Sequence, residues 1–278
     1  MNDPRPTMDQ AVDCHVHIFD PCYNFSHAPR YVPPAAFRGT AAQLTATLSA
    51  HHLTHALLVA AAPYGTENGP ILDAIAGSGG RFKGIALVDP STFNEPLLRH
   101  LADSGIVGVR FNLALGIGEL TANSSARLLA WMKEAGWFLD IHSIADDLVP
   151  AMPLLEKSGV KLLFDHFGRP DVLGRPDQIG FAALLSVADK GNAYAKLSGA
   201  FRTSNQDEPF EDVAPWVQRV IQAFGVERCV WGSDWPFVNI GRRVDYGPQF
   251  EWLSHCVPNY HDRNKILWEN PARLFGFG

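Results

Sequence analysis

Eight short apolar runs recur along the chain, and each is followed by a stretch with helical spacing. The runs fall at 12–20, 55–62, 82–88, 106–112, 137–142, 161–166, 193–197 and 229–234. Helical patterns occupy 41–52, 70–77, 95–104, 124–135, 145–157, 181–188 and 216–224, with a helical tail at 249–257 and 262–275. The pattern at 145–157 is interrupted by Pro150 and Pro153. Strand-length runs interleaved with helices specify βα units, and these build a parallel sheet. Eight such units in 278 residues predict an α/β fold, a (β/α)₈ TIM barrel, as one domain over 1–278. An open doubly wound sheet is the alternative, but no Gly-x-Gly-x-x-Gly follows the first run. The Gly/Pro-rich stretches at 77–80 and 169–174 are too short to link domains, and no repeat or charge block divides the chain.

Hydrophobic residues make up 46% of the chain, ample for a large core. The formal net charge is -6 and no basic face is evident, which sets nucleic acid aside as a partner. No apolar run reaches the length of a membrane span. The first residues are polar and proline-bearing, without the charged-then-apolar layout of a signal peptide. Cys14, Cys22, Cys229 and Cys256 form no C-x-x-C pair, so reduced thiols are expected. These features point to a soluble cytoplasmic protein, monomeric or a small homo-oligomer, with no membrane partner.

Barrel active sites are built at the C-terminal ends of the strands. The first run ends in His15 and His17, which alternation places on one face. Two imidazoles side by side suit a divalent metal, or two hydrogen bonds to one anionic substrate. The fourth run ends in Arg110 and Asn112, the fifth in His142, and the sixth in Asp165 and His166. The seventh ends in Lys196 and Ser198 and the eighth in Asp234. Four of eleven histidines at strand ends, together with an aspartate, indicate chemistry rather than scattered core histidines. The loop at 21–40 is rich in proline and aromatics, and holds Tyr23, His27, Arg30 and Tyr31. A loop that long within a compact domain is usually functional or disordered, and its aromatics argue for order.

The segments DCHVHIFDP, GVRFN, FDHFGRPD, CVWGSDWPF and NPARLFGF, in that order from Val12 to Phe275, resemble the amidohydrolase superfamily. They are most similar to its branch of 2-pyrone-4,6-dicarboxylate lactonase and related sugar-lactone and muconolactone hydrolases. The resemblance implies a distorted barrel that opens a lactone by attack of water. It casts Asp234 as general base, and His15, His17 and His166 as groups that polarise the carbonyl or orient the water. It makes Arg110, Arg169 and Arg202 grips for substrate carboxylates, because guanidinium binds carboxylate in a fork. Tyr31 is a further substrate contact, and Asn112 joins the set beside Arg110.

Two departures qualify this expectation. The pyrone lactonase carries a second arginine a few residues after the one matching Arg110. Here Leu113, Ala114, Leu115 and Gly116 are apolar, which puts a dicarboxylate substrate in doubt. That enzyme also has a tyrosine at the end of strand 5, where this chain has His142, and works without metal. Histidine there completes the ligand set of the mononuclear members: His15, His17, His142 and Asp234. One divalent ion is therefore expected, zinc first and manganese second, with a metal-independent mechanism as the alternative. The expected substrate is a small anionic lactone of aromatic or sugar-acid catabolism. The rivals are a metal-dependent decarboxylase of the aminocarboxymuconate-semialdehyde decarboxylase type, and an inactive barrel that only binds a ligand.

Overall fold

A computed structural model describes residues 10–116 and 124–278. It contains eight parallel strands in a single sheet ordered as in the sequence, β1 to β8. These are β1 Val12–Val16, β2 His55–Val59, β3 Phe82–Ala86, β4 Ile106–Asn112, β5 Phe138–His142, β6 Lys161–Phe164, β7 Ala193–Ser198 and β8 Cys229–Gly232. The helices between them are α1 Ala41–Ala50, α2 Gly69–Ala76, α3 Glu95–Asp103, α4 Ser124–Glu134, α5 Met152–Ser158, α6 Ile179–Ser186, α7 Ala200–Thr203 and α8 Ala214–Phe224. After β8 come α9 Tyr246–Cys256, α10 Tyr260–Asn264 and α11 Asn270–Phe275. The expected (β/α)₈ barrel is therefore present. None of the described helices is long and apolar enough to cross a membrane.

Local chemistry sets the element ends. Thr40 and Gln43 form a capping box at the start of α1, and the Asn94 side chain accepts from Leu97 N at the start of α3, each satisfying amides that the helix leaves free. Pro150 and Pro153 do break the expected helix at 145–157: residues Ala145–Ala151 form a 3₁₀ turn, and α5 begins at Met152 with Pro153 in its first turn. There the missing N–H costs nothing. The run at 161–166 ends earlier than its apolar pattern suggests. Phe164 closes β6, and His166 and Phe167 adopt left-handed backbone at φ 51 and 44. The apolar run at 55–62 likewise stops being strand at Val59, and Ala62–Tyr64 turn as 3₁₀.

Buried apolar side chains form three bodies, the smallest of them Phe19, Ala61, Tyr64 and Val238 beside Tyr31. The largest fills the space between strands and helices. The second includes Val12, Leu57, Ile85, Phe138, Leu163, Tyr194 and Val230, together with Phe275 and Phe277 from the end of the chain. Its strand members lie low in the barrel, so the tail packs against the barrel floor. The opposite end is left for polar side chains.

β1 has a register irregularity between Asp13 and Val16. Below it, Val12 and Cys14 pack in the inner cluster, while Asp13 points outward and accepts from the Tyr246 hydroxyl of α9 at 2.8 Å. Above it, His15 and His17 turn inward. An extra residue in one strand shifts the alternation in this way and re-aims a side chain. This is one distortion of the barrel, and it lies beneath the site.

Candidate active site

The barrel closes where β1 meets β8, and that seam carries the central residues. Asp234 N donates to the His15 carbonyl at 2.8 Å, and His17 N donates to the Trp235 carbonyl at 2.9 Å. Asp13 completes the seam with its side chain, accepting from Ser233 N at 2.9 Å and His15 N at 3.2 Å. Burial pushes the Asp13 carboxyl up to about 6, against the lowering from the Ser233, Tyr246 and His15 bonds. Gly232 is required here, since a Cβ on it would stand 2.5 Å from His15 Cβ and 2.7 Å from His15 N.

A buried layer of charge supports the site. Register pairs Arg110 with Asp140 and Asn112 with His142 across β4 and β5. Arg110 donates to Asp165 Oδ2 at 2.8 Å. Lys196 Nζ, fully buried, lies 2.5 Å from Asp140 Oδ1 and 2.9 Å from Asp165 Oδ1. Burial would raise the Asp165 carboxyl, but His15, Lys196 and Arg110 outweigh it and hold it well below the usual range. Charges this deep persist only when paired and hydrogen-bonded.

Above that layer the imidazoles converge. His17 Nδ1 lies 2.8 Å from the Val59 carbonyl, which only accepts, so Nδ1 carries a proton and Nε2 is turned to the site. His15 Nδ1 lies 3.0 Å from Asp165 Oδ1. The same Nδ1 lies 3.1 Å from Lys196 Nζ, which can only donate, and His15 Nε2 is buried without a hydrogen-bond partner. The two Nε2 atoms lie 3.7 and 3.5 Å from Asp234 Oδ1. His166 Nδ1 meets Ser198 Oγ at 2.9 Å, and its Nε2 lies 3.7 Å from Asp234 Oδ2. Gly199 makes room for that ring: its φ is +65, and a Cβ there would stand 2.6 Å from His166 Nδ1. The Asn112 Oδ1 accepts from Leu115 N and from His142 Nδ1, which leaves His142 Nε2 free. Burial lowers His15 and His142 to about 3, so both are neutral at ordinary pH.

Asp234 has a left-handed φ of 66. Burial would raise its carboxyl, but Arg202, His166, His17 and His15 hold it well below the usual range. Arg202 Nε is bonded to its Oδ2. Arg169 donates to the Arg202 carbonyl at 3.2 Å. A cavity of about 250 Å³ opens onto this constellation. Its lining includes Tyr31, Arg110, Asn112, His142, Arg169 and Arg202, beside His17, His166 and Asp234.

The expected site residues are thus brought together, with two differences. Arg110 lines the cavity but is committed to a buried aspartate. His142 stands outside the tightest metal-competent group, which is His15, His17 and Asp234, with ligand atoms all within 4.8 Å of one another. A second group, His15, Asp165 and His166, is less suited because Asp165 already serves Arg110 and Lys196. His15 and His17 Nε2 face one buried carboxylate, and His15 Nε2 has no hydrogen-bond partner, so the first group could hold a divalent ion. The residues missed from sequence are Asp13 and Asp140. A charge inside a buried apolar strand, as in Phe138-Leu139-Asp140-Ile141, is the signal that could have found them.

A (β/α)₈ barrel that gathers four imidazoles, a carboxylate and three guanidiniums around one mouth has the arrangement of a barrel enzyme. The profile described as amidohydrolase matches residues 12–277, and the chain belongs to that family. The 4-sulfomuconolactone hydrolase of Rhizobium radiobacter is 31% identical, over 96% of this chain and 90% of that protein. The 2-pyrone-4,6-dicarboxylate hydrolase of Comamonas testosteroni is also 31% identical, over 95% of this chain and 90% of that protein. A solved structure of a probable 2-pyrone-4,6-dicarboxylic acid hydrolase from Acinetobacter baumannii, with citric acid bound, superposes with a TM-score of 0.87 at 28% identity. It covers 97% of this chain and 100% of that one.

Proposed function

We propose that this protein is a hydrolase that opens a carboxylate-bearing lactone by attack of water, in aromatic or sugar-acid catabolism. The observation that carries this reading is the convergence of His15, His17 and His166 Nε2 on the Asp234 carboxylate, within 3.5–3.7 Å, at the mouth of the barrel. The names of two relatives at 31% identity agree with it.

In this reading Asp234 takes a proton from water as the water oxygen attacks the lactone carbonyl carbon. The carbon–oxygen ring bond then breaks, and the ring oxygen leaves with the proton that Asp234 took, giving the open-chain acid. His166 and His142, neutral and buried, face the carbonyl oxygen or the water. Arg169 and Arg202 attract the substrate's anionic group, and Tyr31 packs against the bound ring. Arg110 acts from the floor, by fixing Asp165 beneath His15. A divalent ion held by His15, His17 and Asp234, zinc first and manganese second, would supply Lewis acidity. Two imidazoles and a carboxylate whose ligand atoms lie within 4.8 Å of one another fit such an ion, and His142 faces the cavity beside them. The protein works in the cytoplasm as a one-domain monomer or small homo-oligomer.

The test is a lactone panel, followed by proton release and by absorbance of the ring. Ring opening by wild type with loss in Asp234→Asn supports the reading. Carbon dioxide release in place of ring opening would assign the barrel to a decarboxylase.

A further inference from the structure

Ser198 closes β7 and has no part in the chemistry proposed above. Alternation along the strand puts it on the same face as Lys196, one layer nearer the mouth. It is 1% exposed, and its one side-chain hydrogen bond among the described residues joins Oγ to His166 Nδ1 at 2.9 Å. A hydroxyl carries a hydrogen as well as lone pairs. A buried hydroxyl that left its hydrogen unpaired would lose the water it had in the unfolded chain and have nothing in exchange. His166 Nδ1 is the acceptor within reach, so Ser198 donates and Nδ1 accepts.

The other end of the ring agrees. His166 Nε2 lies 3.7 Å from Asp234 Oδ2, and the Asp234 carboxyl is held well below the usual range. A bare nitrogen there would turn its lone pair on a carboxylate, whereas an N–H turns a positive edge to it. Both ends therefore place a hydrogen on Nε2. Burial lowers the ring's own pKa, against the pull of Asp234, but a ring carrying both hydrogens would still hold one on Nε2. Asp165 also comes within 4.8 Å of a ring nitrogen, but its carboxylate serves Lys196 and Arg110. The rings of His15 and His142 flank His166, with centroids 4.7 and 5.5 Å away, and limit its rotation. His142 is set the other way. It spends its hydrogen on Asn112 Oδ1 and turns a bare Nε2 to the cavity.

From this geometry we infer that Ser198 is a positioning residue: by donating to His166 Nδ1 it fixes a hydrogen on Nε2, which makes His166 the donor to the lactone carbonyl oxygen and leaves the water to Asp234 and His142. No proton leaves the ring. Its N–H steadies the charge that grows on the carbonyl oxygen as water adds. The inference rests on the lactonase reading above and separates two roles that the reading leaves joined. It also takes His166 out of any metal set, since a nitrogen bearing hydrogen has no lone pair to give.

The experiment reads the rings directly. Full-length protein with isotope-labelled histidine, zinc-loaded and metal-stripped, is studied by long-range proton–nitrogen correlation. His166 and His142 are assigned from the signals lost in His166→Gln and His142→Gln. Wild type should show His166 with Nε2 protonated and Nδ1 bare, and His142 the reverse. In Ser198→Ala the His166 Nδ1 signal should move, because its donor is gone. Turnover is followed on whichever of 2-pyrone-4,6-dicarboxylate, muconolactone and D-glucono-1,5-lactone wild type opens fastest. Removing one oxyanion donor outright costs about 10²–10³ in kcat. Loosening its orientation in Ser198→Ala should cost about ten-fold, with KM within about two-fold. Should that variant fail to fold, the wild-type spectrum alone decides. A His166 ring with its hydrogen on Nδ1 overturns the inference, as does Ser198→Ala with wild-type kcat or a loss confined to KM, and each leaves the lactonase reading intact. Opening of no lactone by wild type overturns the lactonase reading and the carbonyl role of His166 with it, while the ring signals still decide where Ser198 holds the hydrogen.

Discussion

Arg202 donates through Nε to Oδ2 of Asp234, so the residue assigned as base is already engaged by a cation from α7, the short helix after the neighbouring strand. The pair keeps Asp234 ionised across the working range, and a proton reaches it only as that grip loosens. In the proposed reading, a substrate anion drawn to Arg169 would lie beside Arg202 and compete for the same guanidinium.

Asp234→Asn keeps the side chain's size and its backbone bond to His15 but removes the basic oxygen. Turnover should fall by about 10²–10⁴, with the circular dichroism spectrum unchanged. Near-wild-type kcat would remove Asp234 from the role of base.

Arg110 bears on stability as well as binding. It is 5% exposed and paired with a fully buried carboxylate. Arg110→Met strands Asp165 against one fewer cation, and loss of one partner of a buried pair costs about 3–5 kcal/mol. Urea denaturation should show that loss, while Arg110→Lys recovers part of it. Wild-type stability in Arg110→Met would mean that the pair does not brace the floor.

His142 offers a pH test. Burial first, and then the Arg110 charge, take its folded pKa down to about 3 from 6.5. Above pH 6.5 both folded and unfolded imidazoles are neutral and nothing changes. Between 6.5 and about 3 only the unfolded imidazole is charged, so its contribution to folding falls by about 1.4 kcal/mol per pH unit. The His142→Gln variant cannot titrate there. In metal-free protein the stability difference between the two should therefore move in favour of the variant by that amount between pH 6 and pH 5. A difference that stays constant would mean that His142 titrates normally in the fold.

Metal content separates the ligand sets. Protein purified without chelator should carry about one divalent ion per chain, measured by elemental analysis, and should melt higher than the stripped protein. His15→Ala and His17→Ala should lose the ion, whereas His142→Ala should keep it. Activity lost to a chelator should return with zinc or manganese. Full activity in metal-free protein would refer the chemistry to Asp234 and the imidazoles alone.

Much of this site was legible in the chain because strand ends advertise themselves. His15, His17, His142 and Asp234 each lie at the end of an apolar run, and the C-terminal ends of barrel strands gather at one mouth. The floor was harder to read. Lys196 and Asp140 sit inside apolar strands, and their burial depends on partners from β5, β6 and β7 that no local pattern reveals. The role of Arg110 turned on the same fact: its position predicts an inward side chain, but only the register with β5 and the turn after β6 decides that it meets aspartates. Asp13 was missed because the irregularity in β1 reverses the alternation that a regular strand would obey.

The seam between β1 and β8 has a further consequence for how the enzyme comes into being. Asp13 and Ser233, which bond across it, are 220 residues apart, and the reacting groups lie on the same line. Every other strand pair can form with neighbours already made, but this one waits for the circle to close. Contacts so distant in sequence form late and slowly. A nascent chain lacking β8 could therefore fold much of its shell and still have no hydrolytic centre. Catalytic competence would then report completion of the whole ring, and half-barrel fragments should be silent until they reassociate.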